Sequence, residues 1–300
     1  MFKEKIKILG AYGGKGIDAN NTSIQIDRCS VIDAGNIIKA IGDDAKYIDN
    51  IFLTHSHLDH IIDIPFLVES FYEVRNKPIK IYALKETIEH LNRYIFNWNI
   101  WPDFSDIDLI NQKHSIEFIE IQVNKILQFR NFSIKPIKTN HTISSCGYVI
   151  TKDENSIFFT GDTFICDEIW EEINQNLSIK QLIVDVSFPS RLEVAAQTSK
   201  HLTLKLLKEE LTKLKRDDVK IYINHLKPTY IDEITEELKV LELENKITIL
   251  NDSDVINLKK IKKTSRKKDL DIEQLIMKCN TKDDFNRVIK RLEKEKQKIK

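Results

Sequence analysis

Short apolar runs separated by turns dominate the first third of the chain. Ile6–Leu9, Ser23–Ile26, Ser30–Asp33 and Ile51–Thr54 are β-branched or alternating, and each predicts a strand. Apolar positions at helical spacing follow over Ile61–Arg75 and Lys85–Trp98, with a strand-like Ile79–Ala83 between them. The stretch Trp98–Asp108 has neither period and reads as an irregular insertion. Its aromatics could line a pocket, although packing on the core is the commoner fate. A second series of strands is predicted at Ile116–Ile121, Phe132–Lys138, Tyr148–Thr151, Ser156–Thr160 and Gln181–Val186. Helical patterns at Asp167–Asn174, His201–Leu214 and Ile231–Leu243 surround the strand Lys220–Asn224, and Ile247–Leu250 is a last strand. Strands lead in each half and helices follow, which favours two sheets packed face to face with helices outside.

The length of 300 residues and 41% hydrophobic content suit one large α/β domain with a sizeable core. Overall charge is balanced, but residues 259–300 carry 16 of the 46 Lys and Arg and 7 of the 46 Asp and Glu. Two units are therefore expected: residues 1–258 as the main domain with net charge −9, and residues 259–300 as a basic, Lys-rich helical tail at +9. An acidic body opposes a broad nucleic-acid face, because polyanions are held by clustered cations; the basic tail keeps that partner open. The tail reads as a solvated helical extension, an anionic contact or a dimerisation element. Cys29, Cys146, Cys166 and Cys279 are scattered without a paired motif and read as free thiols in a reducing compartment. The start of the chain lacks an export signal and no run reaches the ~20 apolar residues of a membrane span, so a cytoplasmic protein is expected.

The strongest chemistry lies at Thr54-His55-Ser56-His57-Leu58-Asp59-His60, directly after the apolar Ile51-Phe52-Leu53. His55 and His57 alternate along extended chain while Asp59 and His60 turn into the next element, so two groups of ligands, and two ions, are suggested. Further candidates follow predicted strands: His141 after Phe132–Lys138, Asp162 after Ser156–Thr160, and His225 after Lys220–Asn224. Parallel neighbours would bring them to one rim. His90 and His114 carry no such context. The Gly13-Gly14-Lys15-Gly16 loop lacks a full phosphate-loop pattern and reads as a turn that lets backbone approach a neighbouring site.

In order, these residues resemble the metallo-β-lactamase superfamily, whose signature is H-x-H-x-D-H followed by a His, a bridging Asp and a final His. The resemblance covers residues 1–258 and implies an αββα sandwich. It also implies that His55, His57 and His141 hold a first ion, Asp59, His60 and His225 a second, and Asp162 both. Asp185-Val186-Ser187-Phe188-Pro189, His201-Leu202-Thr203 and His225-Leu226-Lys227-Pro228 further resemble the class II cyclic-nucleotide phosphodiesterases. The same family is suggested by Phe159-Thr160-Gly161-Asp162-Thr163 and by His141 with Ser144 and Gly147-Tyr148. Asp185 stands where Glu is usual, Ser190 for Asn, Leu204 for Pro and Phe164 for Gly.

The implied reaction is metal-dependent hydrolysis of a 3′,5′-cyclic nucleotide, cyclic AMP first, to the 5′-monophosphate. Hydroxide held between two divalent ions would attack in line. Zinc is the expected metal, with manganese, iron or magnesium compatible with the same ligands. Asp59, His201 and Asp185 are the catalytic candidates. His201, the motif histidine outside the ligand set, would protonate the leaving oxygen, oriented by Asp185. Lys227, Ser187 and Phe188 are candidate substrate contacts. The alternatives are a tRNA 3′-processing endonuclease of the RNase Z type, or a non-catalytic binding module of the same fold.

Overall fold

A computed structural model describes residues 4–110 and 114–258. The basic tail expected over residues 259–300 lies outside the described residues. The described strands are, in chain order, β1 (Lys5–Gly10), β2 (Ser23–Asp27), β3 (Ser30–Ile32), β4 (Asn50–Phe52), β5 (Ile79–Ala83), β6 (Ile116–Glu120) and β7 (Leu127–Gln128). They continue as β8 (Ser133–Lys138), β9 (Cys146–Lys152), β10 (Asn155–Phe159), β11 (Ile179–Asp185), β12 (Lys220–Asn224), β13 (Ile247–Ile249) and β14 (Val255–Asn257).

Two mixed sheets result, ordered β14-β1-β2-β3-β4-β5-β6 and β13-β12-β11-β10-β9-β8-β7. The first is buried on both faces, and the alternation along β4 shows why its sequence is a continuous apolar run. Phe52 points into the layer shared with Tyr148 and Phe158 of the second sheet, whereas Ile51 and Leu53 join Ile64, Leu67 and Val68 of the helix Asp63–Ser70. On the second sheet Ile169, Trp170 and Ile173 from the helix Asp167–Gln175, with Ile234 and Leu238 from Ile231–Val240, complete the core. This is the four-layer arrangement expected from the order of elements.

Strand direction sets the position of the site. β3 runs parallel to β4, and β10, β11 and β12 are parallel neighbours in register, with Phe159 opposite Ile183 and Asp185 opposite Asn224. β8 and β10 each pair antiparallel with β9 and so share a direction. The carboxyl ends of β3 and β4 in one sheet, and of β8, β10, β11 and β12 in the other, therefore reach a common rim within their sheet, where loops can carry polar side chains without interrupting a ladder. At that rim the sheets are joined by the Tyr148 hydroxyl, which donates to Leu53 O at 2.7 Å, and the Cys146 N–H, which donates to Thr54 O at 3.0 Å.

Two sequence expectations change. Val255–Asn257 forms a strand that returns to pair with β1, beyond the last predicted strand. The helix predicted from His201 begins at Leu204, because Thr203 caps it by accepting from Leu206 N at 3.2 Å; a helix over Glu193–Ser199 precedes it instead. His201 is thus a loop residue between two short helices. In the insertion, Phe104 is buried and Trp101 packs edge-on against Phe66 at 5.0 Å, while Trp98 is exposed. Among the described residues no helix is long and apolar enough to cross a membrane.

Candidate active site

The first histidines reach the rim by a change of backbone geometry. After β4 the chain stays extended through His57, and the helix Leu58–Ile61 starts immediately afterwards, turning Asp59 and His60 back toward His55. His141 arrives after β8, Asp162 after β10 and His225 after β12. Asp33, which immediately follows β3, and His225 both adopt positive φ, 57° and 64°, a region that side chains with a Cβ seldom occupy.

The loops bring seven side chains together. Asp162 lies centrally: its Oδ2 is 3.3 Å from His60 Nε2, 3.6 Å from His55 Nε2 and 3.8 Å from His141 Nε2, and its Oδ1 is 3.3 Å from His225 Nε2. His57 Nδ1 and His141 Nε2 are 3.1 Å apart on one side. On the other, His225 Nε2 is 3.4 Å from His60 Nε2 and 3.3 Å from Asp59 Oδ2. Three donor groups fall within this geometry: His55, His57, His141 and Asp162 in one, Asp59, His60 and His225 in another, and Asp162 and His225 with Asp185 and His201 in a third.

The donors fit divalent cations. Two ligands about 2.0–2.1 Å from a tetrahedral zinc ion are roughly 3.4 Å from each other, close to the separations here. His55 Nε2 and Asp162 Oδ1 are buried without a hydrogen-bond partner among the described residues. Such orphaned groups carry a desolvation cost that a bound cation would remove. The opposite nitrogens are fixed by protein: His55 Nδ1 by Thr54 Oγ1 at 2.9 Å, and His60 Nδ1 by Asp33 at 2.7 Å. His141 Nδ1 donates to Lys200 O at 3.1 Å, and His225 Nδ1 lies 2.9 Å from Ser187 Oγ. These contacts set tautomer and ring orientation, as histidines that bind metal generally require.

Electrostatics follow from burial. Burial lowers the His55 pKa well below its ordinary value, and lowers His57 to about 4 with help from His141, so both imidazoles are neutral and able to donate a lone pair. Burial pushes the Asp162 carboxyl upward, but His225, His60 and His55 outweigh it and hold the group well below the usual range. His60 is disfavoured as a cation by burial, yet Asp162 and Asp33 together raise its pKa.

Beside this cluster, His201 Nδ1 is 2.6 Å from Asp185 Oδ2. Asp185 is fully buried and also accepts from Ser187 Oγ at 2.8 Å and Thr163 N at 3.1 Å. Its lone pairs are thus committed to the protein, which distinguishes it from Asp162. The His201 ring stacks on His225 at 5.1 Å and meets His141 edge-on at 5.0 Å, and Nε2 has no hydrogen-bond partner among the described residues.

The expected substrate contacts separate. Phe188 is half-buried, its ring 6.0 Å from that of His201. Ser187 is fully buried between Asp185 and His225; it positions side chains and is not placed to touch substrate. Lys227 donates to Gly13 O at 2.6 Å, tying down the glycine loop, and its remaining protons have no partner among the described residues. A Cβ on Gly13 would lie 2.5 Å from His225 Nδ1 and Cε1, so this glycine is needed for close approach. Sequence reasoning missed Asp33, Thr54 and His90. The signal for Asp33 was a carboxylate closing an apolar strand before the small residues Ala34 and Gly35.

The fold and the donor cluster define a metallohydrolase class, and residues 34–223 match the family described as Beta-lactamase superfamily domain, so the chain belongs to the metallo-β-lactamase superfamily. That match stops just short of His225, which the structure nevertheless brings into the cluster. Among curated relatives, the "Probable 3',5'-cyclic-nucleotide phosphodiesterase" of Yersinia pestis is 25% identical over 206 residues, 61% of this chain and 58% of the relative; the chain thus spans under two thirds of that protein. The "3',5'-cyclic-nucleotide phosphodiesterase 1" of Saccharomyces cerevisiae is 24% identical over 250 residues, 72% of this chain and 67% of the relative. The solved structure of unliganded yeast PDE1 superposes with a TM-score of 0.69 at 18% identity, covering 86% of this chain and all of that one. A Ribonuclease Z of Methanosarcina mazei is 25% identical over 107 residues, 35% of this chain and 32% of the relative.

Proposed function

We propose that the protein is a metal-dependent phosphodiesterase that opens a 3′,5′-cyclic nucleotide, cyclic AMP being the expected substrate, to the 5′-monophosphate. The observation that carries this reading is the His201–Asp185 pair: an oriented imidazole set against the donor cluster, with one nitrogen unpartnered among the described residues and a carboxylate already engaged by Ser187 Oγ and Thr163 N. His55, His57 and His141 would hold one ion and Asp59, His60 and His225 the other, with Asp162 available to both.

Bound there, two divalent cations, zinc first, would supply a nucleophile from water at neutral pH and offset the phosphoryl charge that grows in the transition state. The chain's own task is the departing O3′, a strongly basic alkoxide. Burial disfavours the His201 cation, but Asp185 overcomes this and raises its pKa, which favours the ring form that has a proton on Nε2 to give. Asp185 holds the ring while the proton leaves. Phe188 walls the same side, and Lys227, anchored on Gly13 O, offers positive charge beside the glycine loop.

The broader match to cyclic-nucleotide phosphodiesterases than to the ribonuclease Z protein supports this substrate over precursor tRNA, as does the charge of −9 over residues 1–258. Product analysis of metal-loaded protein against cyclic AMP, cyclic GMP, a 2′,3′-cyclic nucleotide and precursor tRNA tests the reading. Conversion of the 3′,5′-cyclic nucleotides supports it; release of a tRNA trailer with cyclic nucleotides untouched reverses it.

A further inference from the structure

His90 shows no site context in sequence, yet the structure brings it to the active-site rim. It lies on the helix Lys85–Tyr94, and its Nδ1 is 2.7 Å from Ser56 Oγ, between the two histidines of the first motif. That contact fixes the imidazole and leaves Nε2 without a hydrogen-bond partner among the described residues. Both residues line a cleft of about 280 Å³ bordered by His57. Leu58, Ile61, Ile95 and Ile143 form apolar walls, and the exposed Tyr94 adds a flat ring whose centroid is 5.9 Å from that of His90.

The volume is at the lower end for small-molecule sites, enough for one flat ring system rather than an extended chain. No Lys or Arg lines the cleft, so it is not built for phosphate. The cleft nevertheless adjoins the candidate phosphodiester site: His57 lines it and belongs to the donor cluster, and the His141 ring lies 4.9 Å from that of His57 and 5.0 Å from that of His201. Its occupant should therefore be an uncharged planar group joined to the phosphodiester, with one polar edge facing an oriented imidazole nitrogen.

We propose that this cleft is a nucleobase subsite in which Tyr94 and the isoleucines pack on the faces of a heteroaromatic base and His90 Nε2 hydrogen-bonds to its edge. This inference rests on the phosphodiesterase reading above and adds to it a place for the base. Apolar packing with one polar contact gives orientation to a ring that otherwise has none.

The test compares metal-loaded wild type with His90→Ala, Tyr94→Ala and Ile143→Ala on cyclic AMP and on a base-free analogue, 1-O-methylribose 3′,5′-cyclic phosphate. The ratio of kcat/KM for the base-bearing over the base-free substrate should fall about tenfold or more in the His90 and Tyr94 variants, in line with the usual worth of aromatic stacking on a base. Metal content measured on each variant separates loss of the subsite from disturbance of His57, and Tyr94 and Ile143 are altered without removing the Ser56 contact. A ratio that stays at the wild-type value in all three variants overturns the proposal. Equilibrium dialysis of the metal-loaded protein against AMP and ribose 5-phosphate separates the two claims. If wild type hydrolyses neither cyclic substrate yet prefers AMP, and the variants lose that preference, the subsite stands and the reaction does not; equal binding of the two ligands refutes the subsite directly.

Discussion

His201 and Asp185 form a buried pair, Nδ1 to Oδ2 at 2.6 Å, and the carboxylate is itself held by the Ser187 hydroxyl and the Thr163 amide. A carboxylate so fixed determines both the direction of the ring and its proton affinity. Burial works against the imidazolium and Asp185 favours it, with the carboxylate prevailing. If His201 acts as the acid, kcat falls as pH rises through its pKa, which makes it the basic limb of the profile. Removing the charge with Asp185→Asn lowers that pKa and moves the limb to lower pH, besides lowering the plateau. A kcat profile on cyclic AMP measures this, and a limb that stays in place would detach His201 from the titration.

His201→Ala should retain both metals and lower kcat on a cyclic nucleotide by roughly 10²–10⁴, the usual contribution of a positioned acid. The loss should shrink on a p-nitrophenyl phosphodiester, because p-nitrophenolate leaves without a proton. Equal losses on the two substrates would reassign the residue to positioning.

Gly13 lies so close to His225 that a methyl group cannot be accommodated without movement; its Cβ would also be 2.7 Å from the His225 carbonyl. Gly13→Ala should therefore weaken the ion assigned to Asp59, His60 and His225 more than the one assigned to His55, His57 and His141. Titration with a chelator, read by elemental analysis, would show one ion lost early; loss of both together, or of neither, contradicts this geometry.

Asp33 fixes His60 from behind at 2.7 Å and also accepts from the Thr54 hydroxyl and amide. Asp33→Asn keeps the size but weakens that support, and metal affinity at the His60 side should drop by about 10–100-fold, the usual cost of removing a partner that orients a ligand. Competition with a metal indicator checks it, and unchanged affinity would show that His60 is oriented by other means.

Much of the fold was legible because its signals are local. β4 and β5 are apolar runs bounded by polar turns, and strict alternation explains why Ile51, Phe52 and Leu53 are all buried in two different layers. The cluster at His55–His60 was legible because four of the seven donors lie within one strand end and one helical turn. Harder to read was what depends on long-range closure. Val255–Asn257 is a strand only because β1 offers it an edge some 250 residues earlier. Asp33 and Ser187 look like ordinary polar residues until the fold places His60 and His225 against them. His90 sits on an amphipathic helix whose spacing gives no hint that Ser56 is its neighbour. The helix boundary at His201 was misplaced because Thr203, two residues later, is the side chain that caps.

The proposed reaction adds water across the P–O3′ bond of a 3′,5′-cyclic nucleotide. Hydrolysis of cyclic AMP by the metal-loaded protein in ¹⁸O-enriched water, followed by ³¹P NMR, tests it most directly. The expected result is 5′-AMP as the single product with one ¹⁸O on phosphorus, and no product from an Asp162→Ala variant that has lost its metals. Formation of 3′-AMP, or intact cyclic AMP alongside efficient cleavage of precursor tRNA, would contradict it.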